Sequence, residues 1–99
     1  MASAIYTPPQ LTASPNPLLD GPVAVGGAIS VTLWDPQHKG MEVFVDVNDL
    51  PFGGGEFSIS VQLDANGRGS GTGTVPGGFV GPILAVGYPG AQSQPVLLQ

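Results

Sequence analysis

Glu56 to Pro76, EFSISVQLDANGRGSGTGTVP, is the stretch whose reading decides the fold. Phe57, Ile59, Val61 and Leu63 alternate with Ser58, Ser60 and Gln62, the period of two of a strand with one dry face and one wet face. The run enters Asp64-Ala65-Asn66-Gly67, where Asn and Gly tolerate the positive φ that reverses an antiparallel pair, and a second alternating run follows from Arg68 to Val75. The stretch therefore predicts a β-hairpin. Loop length sets its register: a loop of two or four residues turns Ser70, Thr72 and Thr74 to the dry face, and a loop of three turns Gly69, Gly71 and Gly73 there. The three-residue loop Ala65-Asn66-Gly67, with Gly67 a left-handed bulge, is preferred over the register that leaves the glycines as a smooth outer surface. Inward glycines make a shallow trough for Phe57, Phe79 or Tyr88 to fill.

Outward from the hairpin, the same period recurs. In Ala28 to Asp35, Ile29, Val31 and Leu33 point one way and Ser30, Thr32 and Trp34 the other. Pro36 to Gly40 is a polar turn. Met41 to Val47 is a third strand with Met41, Val43, Val45 and Val47 inward and Glu42, Phe44 and Asp46 outward, ended by the break from Asp49 to Gly55. Phe79 to Tyr88 and Ser93 to Leu98 complete the set, and Gln10 to Ser14 has the composition of an edge strand. Seven short strands bounded by turn signals predict an all-β antiparallel sandwich of two sheets.

Composition agrees. A chain of 99 residues is one domain with a thin core. Gly 16 and Pro 11 read as turn punctuation, because 41% of residues are apolar and lie in alternating runs rich in β-branched side chains. Charged residues are only 9%, with a net charge of −5, and Lys39 and Arg68 are the only Lys or Arg residues. That balance removes the phosphate-neutralising term of nucleic-acid binding and argues against anionic membranes. With no cysteine there is no disulfide framework, thiol nucleophile or thiolate metal site. The start lacks the basic and apolar regions of a secretory signal.

Residues 1–22 contain Pro8, Pro9, Pro15, Pro17 and Pro22 and are expected to form an extended arm ahead of a sandwich over 23–99. Ile5, Tyr6, Leu11, Leu18 and Leu19 make the arm too apolar for a purely solvated tail, so it is expected to dock on its own domain or on a neighbour, the alternative being a frayed terminus. Trp34 and Phe44 fall on faces expected to be wet, which makes them candidate anchors for a protein partner.

The succession LTASPNP, VGGAISVTL, MEVFVDV, LDANGRGSGTGTVP and FVGPILAVGY resembles the bacterial immunoglobulin-like domains of surface proteins and phage virion proteins. The resemblance covers about Gln10 to Leu98, and its most specific piece is the turn Asp64-Ala65-Asn66-Gly67 leading to Val75-Pro76. The alternating glycines stand where that family carries small or branched apolar residues, and the arm is longer than a module needs. The resemblance implies a fold and leaves the role open between virion subunits and adhesin modules.

Catalytic chemistry has little to stand on. His38 lies in the turn Pro36-Gln37-His38-Lys39-Gly40, three residues from Asp35, with no serine placed to complete a triad, and reads as a solvated turn residue. Asp64, Asn66 and Gly67 lack the further acids of a calcium loop; Asp46, Asp49 and Asp64 would bind a cation only by meeting at one end of the sandwich. Gly67-Arg68-Gly69-Ser70-Gly71 has neither the spacing nor the lysine of a phosphate loop. No catalytic residue, cofactor or metal is assigned. The expected function is a non-enzymatic structural protein of an assembled particle, a phage capsid decoration or minor capsid or tail protein. It would be made in the host cytoplasm, present in many copies, and bound to capsid or tail subunits or to copies of itself. The alternative is a binding module of a secreted bacterial adhesin or cell-wall protein.

Overall fold

A computed structural model describes residues 7–50 and 55–99, which form two antiparallel sheets packed face to face. The strands are β1 (Gln10–Ser14), β2 (Ala28–Trp34), β3 (Glu42–Leu50), β4 (Glu56–Gln62), β5 (Arg68–Thr74), β6 (Ile83–Tyr88), β7 (Ala91–Gln92) and β8 (Val96–Leu97). A single 3-10 turn, Pro36–His38, interrupts the β-structure, and no α-helix occurs among the described residues. One sheet runs β1-β2-β5; the other runs β4-β3-β6-β7, with β8 also on β6. This is the strand order of an immunoglobulin-like sandwich whose fourth strand has joined the sheet of the third.

That order overturns the hairpin. The turn itself is as expected: Asp64 N–H donates to Arg68 O at 2.8 Å, closing the three-residue loop Ala65-Asn66-Gly67, and Gly67 has φ 83°. The two strands then part. β4 pairs with β3 and β5 with β2, so the chain crosses from one sheet to the other at this turn. The glycines face inward, but their neighbour is the backbone of β4 and not the far side of a deep core. A Cβ on Gly69 would strike Gln62 O and Val61 Cγ1, one on Gly71 would strike Ser60 O and Ile59 Cγ2, and one on Gly73 would lie 2.8 Å from Phe57 Cε2. Packed sheets ordinarily stand about 10 Å apart; here two edge strands close one side of the sandwich because one of them has no side chains on that face. Phe57 covers Gly73 and Phe79 packs tilted against Phe57 with ring centroids 5.7 Å apart, as expected for the trough, whereas Tyr88 is engaged elsewhere.

The rest of the core is mainly aliphatic. Ile29, Val31 and Leu33 of β2 face Val45, Val47, Ile59, Val61, Leu84, Val86 and Val96 from the other sheet, all buried. Four details depart from the sequence reading. β3 runs on to Leu50, because Asp49 keeps the inward phase of the valines and is accommodated in the core. Met41, expected inward, precedes β3 and is 53% exposed. β6 begins only at Ile83, residues 79–82 forming a loop tied to Asp49. The last strand comes in two pieces: Gln92 lies opposite Gly87 and Val96 opposite Leu84, so Ser93-Gln94-Pro95 face only Ala85 and Val86. This one-residue bulge, with Pro95 in it, blunts an edge strand.

Gly67 and Gly71 answer to different constraints. Gly67 combines positive φ with a Cβ position 2.5 Å from Asp35 O, and Gly71 has ordinary φ but abuts the β4 backbone. Gly67→Ala is expected to cost more than about 1 kcal/mol, and Gly71→Val about 2 kcal/mol or more by wedging the sheets apart. Gly77→Ala, with nothing near its Cβ position, should stay within about 0.5 kcal/mol of wild type. Urea midpoints check all three, and equal midpoints for Gly71→Val and Gly77→Ala would refute the close approach of β4 and β5.

Candidate functional site: an apolar pole opposite a charged one

The strand directions divide the molecule into two ends. At one end lie the turns 35–41, 63–67 and 89–90; at the other lie 15–27, 75–82, the last residue of β3 and the first of β4.

The first end is polar and cross-linked. Asp35 caps the 3-10 turn, accepting from Gln37 N–H at 3.1 Å, and is buried. Its Oδ2 also accepts the Tyr88 hydroxyl and His38 Nδ1, each at 2.6 Å. An ionised carboxylate only accepts, so His38 Nδ1 carries the proton. His38 is thus bonded to Asp35 while remaining 46% exposed, a correction to its reading as a merely solvated turn residue. Asp35 and His38 are the first two members of a charge-relay arrangement, and the Tyr88 hydroxyl shares with His38 Nδ1 the same carboxylate oxygen of Asp35. What the cluster does is tie the 35–38 turn to β6. Burial alone would push the Asp35 carboxyl up; the bonds from Tyr88, Gln37 and His38 together outweigh burial and hold its pKa below the ordinary 3.8. Asp64 is also held below 3.8, chiefly by the backbone N–H groups of Arg68 and Asn66.

The carboxylates considered for a cation do not meet. Asp64 lies beyond the Glu42↔Gln62 pair and Asp49 beyond Asn48↔Glu56, a separation of more than about 20 Å at strand rise. Asp46 is on the outer face, accepting from Ser58 Oγ. Asp49 is buried and satisfied by Val80 N–H at 2.9 Å and Gly81 N–H at 2.7 Å. Among the described residues no three His, Asp or Glu side chains converge, and no cleft opens.

The second end is apolar. Nine large hydrophobic residues are exposed among those described, and seven of them belong to strand ends and connections at this end. Leu50, Ile83 and Leu97 are direct register partners on the outer face of the larger sheet and form one continuous row. Val25 and Val80 come from adjoining loops. Leu18 and Leu19, 88% and 84% exposed, project from a turn that is hydrogen-bonded within itself. Asn16 Oδ1 accepts Leu18 N–H at 2.9 Å, Asn16 O accepts Asp20 N–H at 2.8 Å, and Asp20 Oδ2 accepts Asn16 N–H at 2.9 Å. Two leucines held in water on a closed turn are not a frayed tail.

The residues singled out from sequence are distributed unevenly. Ile5 and Tyr6 lie outside the described residues. Leu11, expected to reach a partner, is buried: β1 pairs with β2 and places Leu11 opposite Leu33, in the domain's own core. Trp34 is covered on its own sheet, with its indole N–H donating to Asn66 O at 3.1 Å and Arg68, its register partner, 5.4 Å over the ring. Phe44 is 54% exposed but flanked by Glu42, Asp46 and Ser60, away from the pole. Only Leu18 and Leu19 belong to the apolar cluster. Leu50, Val80, Ile83 and Leu97 were missed because each sits next to a buried residue in sequence, and only the register across β3, β6 and β8 brings three of them together.

A carboxyl whose pKa is depressed in the fold contributes stability that is complete above its unfolded value and lost as pH falls through its folded value. The urea midpoint is therefore expected to hold between about pH 7 and pH 5 and to fall below about pH 4, with Tyr88→Phe and Asp35→Asn each giving a shallower acid limb than wild type. A midpoint that rises on acidification would contradict this account of Asp35 and Asp64.

Compared with known proteins, the chain matches no family model, no curated protein and no solved structure.

Proposed function

We propose that this chain is a non-enzymatic structural subunit of an assembled particle, a phage virion component of the capsid-decoration or minor capsid or tail kind, in keeping with the immunoglobulin-like domains it resembles. The observation that carries the reading is the apolar pole. Fully burying a leucine is worth about 1.5–3 kcal/mol, and a domain with so little core gains nothing from holding Leu18 and Leu19 in water on an ordered turn unless another surface takes them. An exposed apolar row such as Leu50, Ile83 and Leu97 marks interaction sites on soluble proteins. The sparse charge supports the same reading. The outer face of the smaller sheet presents Thr12, Ser14, Ser30, Thr32, Ser70 and Thr72 in register, uncharged apart from Arg68 at its end, which suits a protein whose neighbours are close and numerous.

The test is fractionation of lysates from cells that produce the protein, on a density gradient, with an antibody to this chain. Fast sedimentation with a particle is expected, and Leu18→Ser with Leu19→Ser should release the chain from it while shifting the urea midpoint by less than about 0.5 kcal/mol in stability. Recovery of the wild-type chain only as a free monomer, or with the cell envelope, would remove the particle reading, the envelope result in favour of a wall-protein module.

A further inference from the structure

We infer that the apolar pole docks into a concave apolar pocket on a different protein, and that the rim of that pocket carries lysine or arginine. This deepens the particle reading and rests on it for the expectation of a partner at all, but it commits to the partner's chemistry.

Shape gives the concavity. Leu18 and Leu19 project from the end of the molecule, whereas Leu50, Ile83 and Leu97 lie on its flank, along the outer face of the larger sheet. A flat partner covers one or the other; a cup covers both. The two shorter dimensions of the Cα trace are 25 and 22 Å, so a flat contact with the end alone is small beside the about 800 Å² per partner of a standard interface.

Charge gives the rim and excludes a second copy. The charged side chains exposed around the pole are Asp20 and Glu56, both acidic. Lys39 and Arg68, the only Lys or Arg residues in the sequence, stand at the other end, a full strand length or more than about 20 Å away, beyond the screening length of about 10 Å at moderate salt. Two copies meeting pole to pole would set Asp20 and Glu56 against their own kind with no cation between them. A head-to-tail copy would meet an end whose exposed large apolar residue is Met41 and whose cations are offset by Glu42 and Asp64. A partner that buries the leucines and also complements the acids is therefore another protein with cations outside an apolar pocket.

The experiment places a benzophenone amino acid at position 18 or 97, and for comparison at 32 or 39, in the full chain within producing cells, and reads the cross-linked peptides by mass spectrometry. Positions 18 and 97 are expected to join one and the same second protein, at peptides containing Lys or Arg, with position 39 giving no conjugate. The yield should fall several-fold when lysates are irradiated at about 0.5 M rather than about 0.05 M salt, and several-fold in Asp20→Asn with Glu56→Gln, which keeps the Asn16–residue 20 turn bond. Conjugates of the pole with this same chain, conjugates only from 32 or 39, no conjugate at all, or a yield indifferent to both salt and neutralisation would each overturn the inference. The particle reading fails separately: a pole conjugate recovered in a slowly sedimenting fraction removes the particle and keeps the pocket, while pole-to-self conjugates within a particle do the reverse.

Discussion

The contact between the glycine face of β5 and the backbone of β4 is the constraint from which the other features of this fold follow. Gly69, Gly71 and Gly73 present hydrogen where other strands present side chains, so the carbonyls of Ser60 and Gln62 sit against them. One edge of the sandwich is thereby closed by main chain on main chain, and the apolar side chains of the core are collected toward the middle and the opposite edge, where Leu11, Val23 and Val96 complete it. The short turn 64–67 is compatible with this arrangement because strands this close need few residues to pass between sheets. It also presses Gly67 against Asp35 and Pro36, which couples the crossing to the polar end of the molecule.

Two buried carboxylates act as fasteners on that frame. Asp35 gathers the 35–38 turn and Tyr88 at one end; Asp49 accepts two backbone N–H groups and fixes the 79–82 loop at the other. Buried ionisable groups are costly unless every lone pair is used, and the hydrogen bonds supply that use: no described buried side-chain nitrogen or oxygen lacks a partner. The Asp49 clamp also sets the position of Val80, and so helps to shape the apolar pole.

The separation of a charged end from an apolar end is a property of topology. Because successive strands reverse, connections alternate between the two ends, and the sequence places its polar turns, Pro36 to Gly40 and Asp64 to Gly67, on one set and its Pro, Gly and Leu-rich connections on the other.

The all-β class, the inward phase of Ile29, Val31, Leu33, Val45, Val47, Ile59 and Val61, the positive φ of Gly67 and the inward glycines were all legible in the sequence, because each depends on alternation or on a local backbone preference that neighbours in the chain express directly. Which strands pair was not. The turn Asp64-Ala65-Asn66-Gly67 has the same local chemistry whether its flanking strands bond to one another or cross between sheets, and the choice is made by what β2 and β3 offer as partners. In the same way Leu11 became core, Trp34 became covered and Asp49 became a buried clamp through contacts with residues about 20 to 35 positions away. The apolar pole is the clearest case: Leu50, Ile83 and Leu97 are scattered in the chain, and adjacency across three strands, a long-range consequence of register, is what makes them one surface.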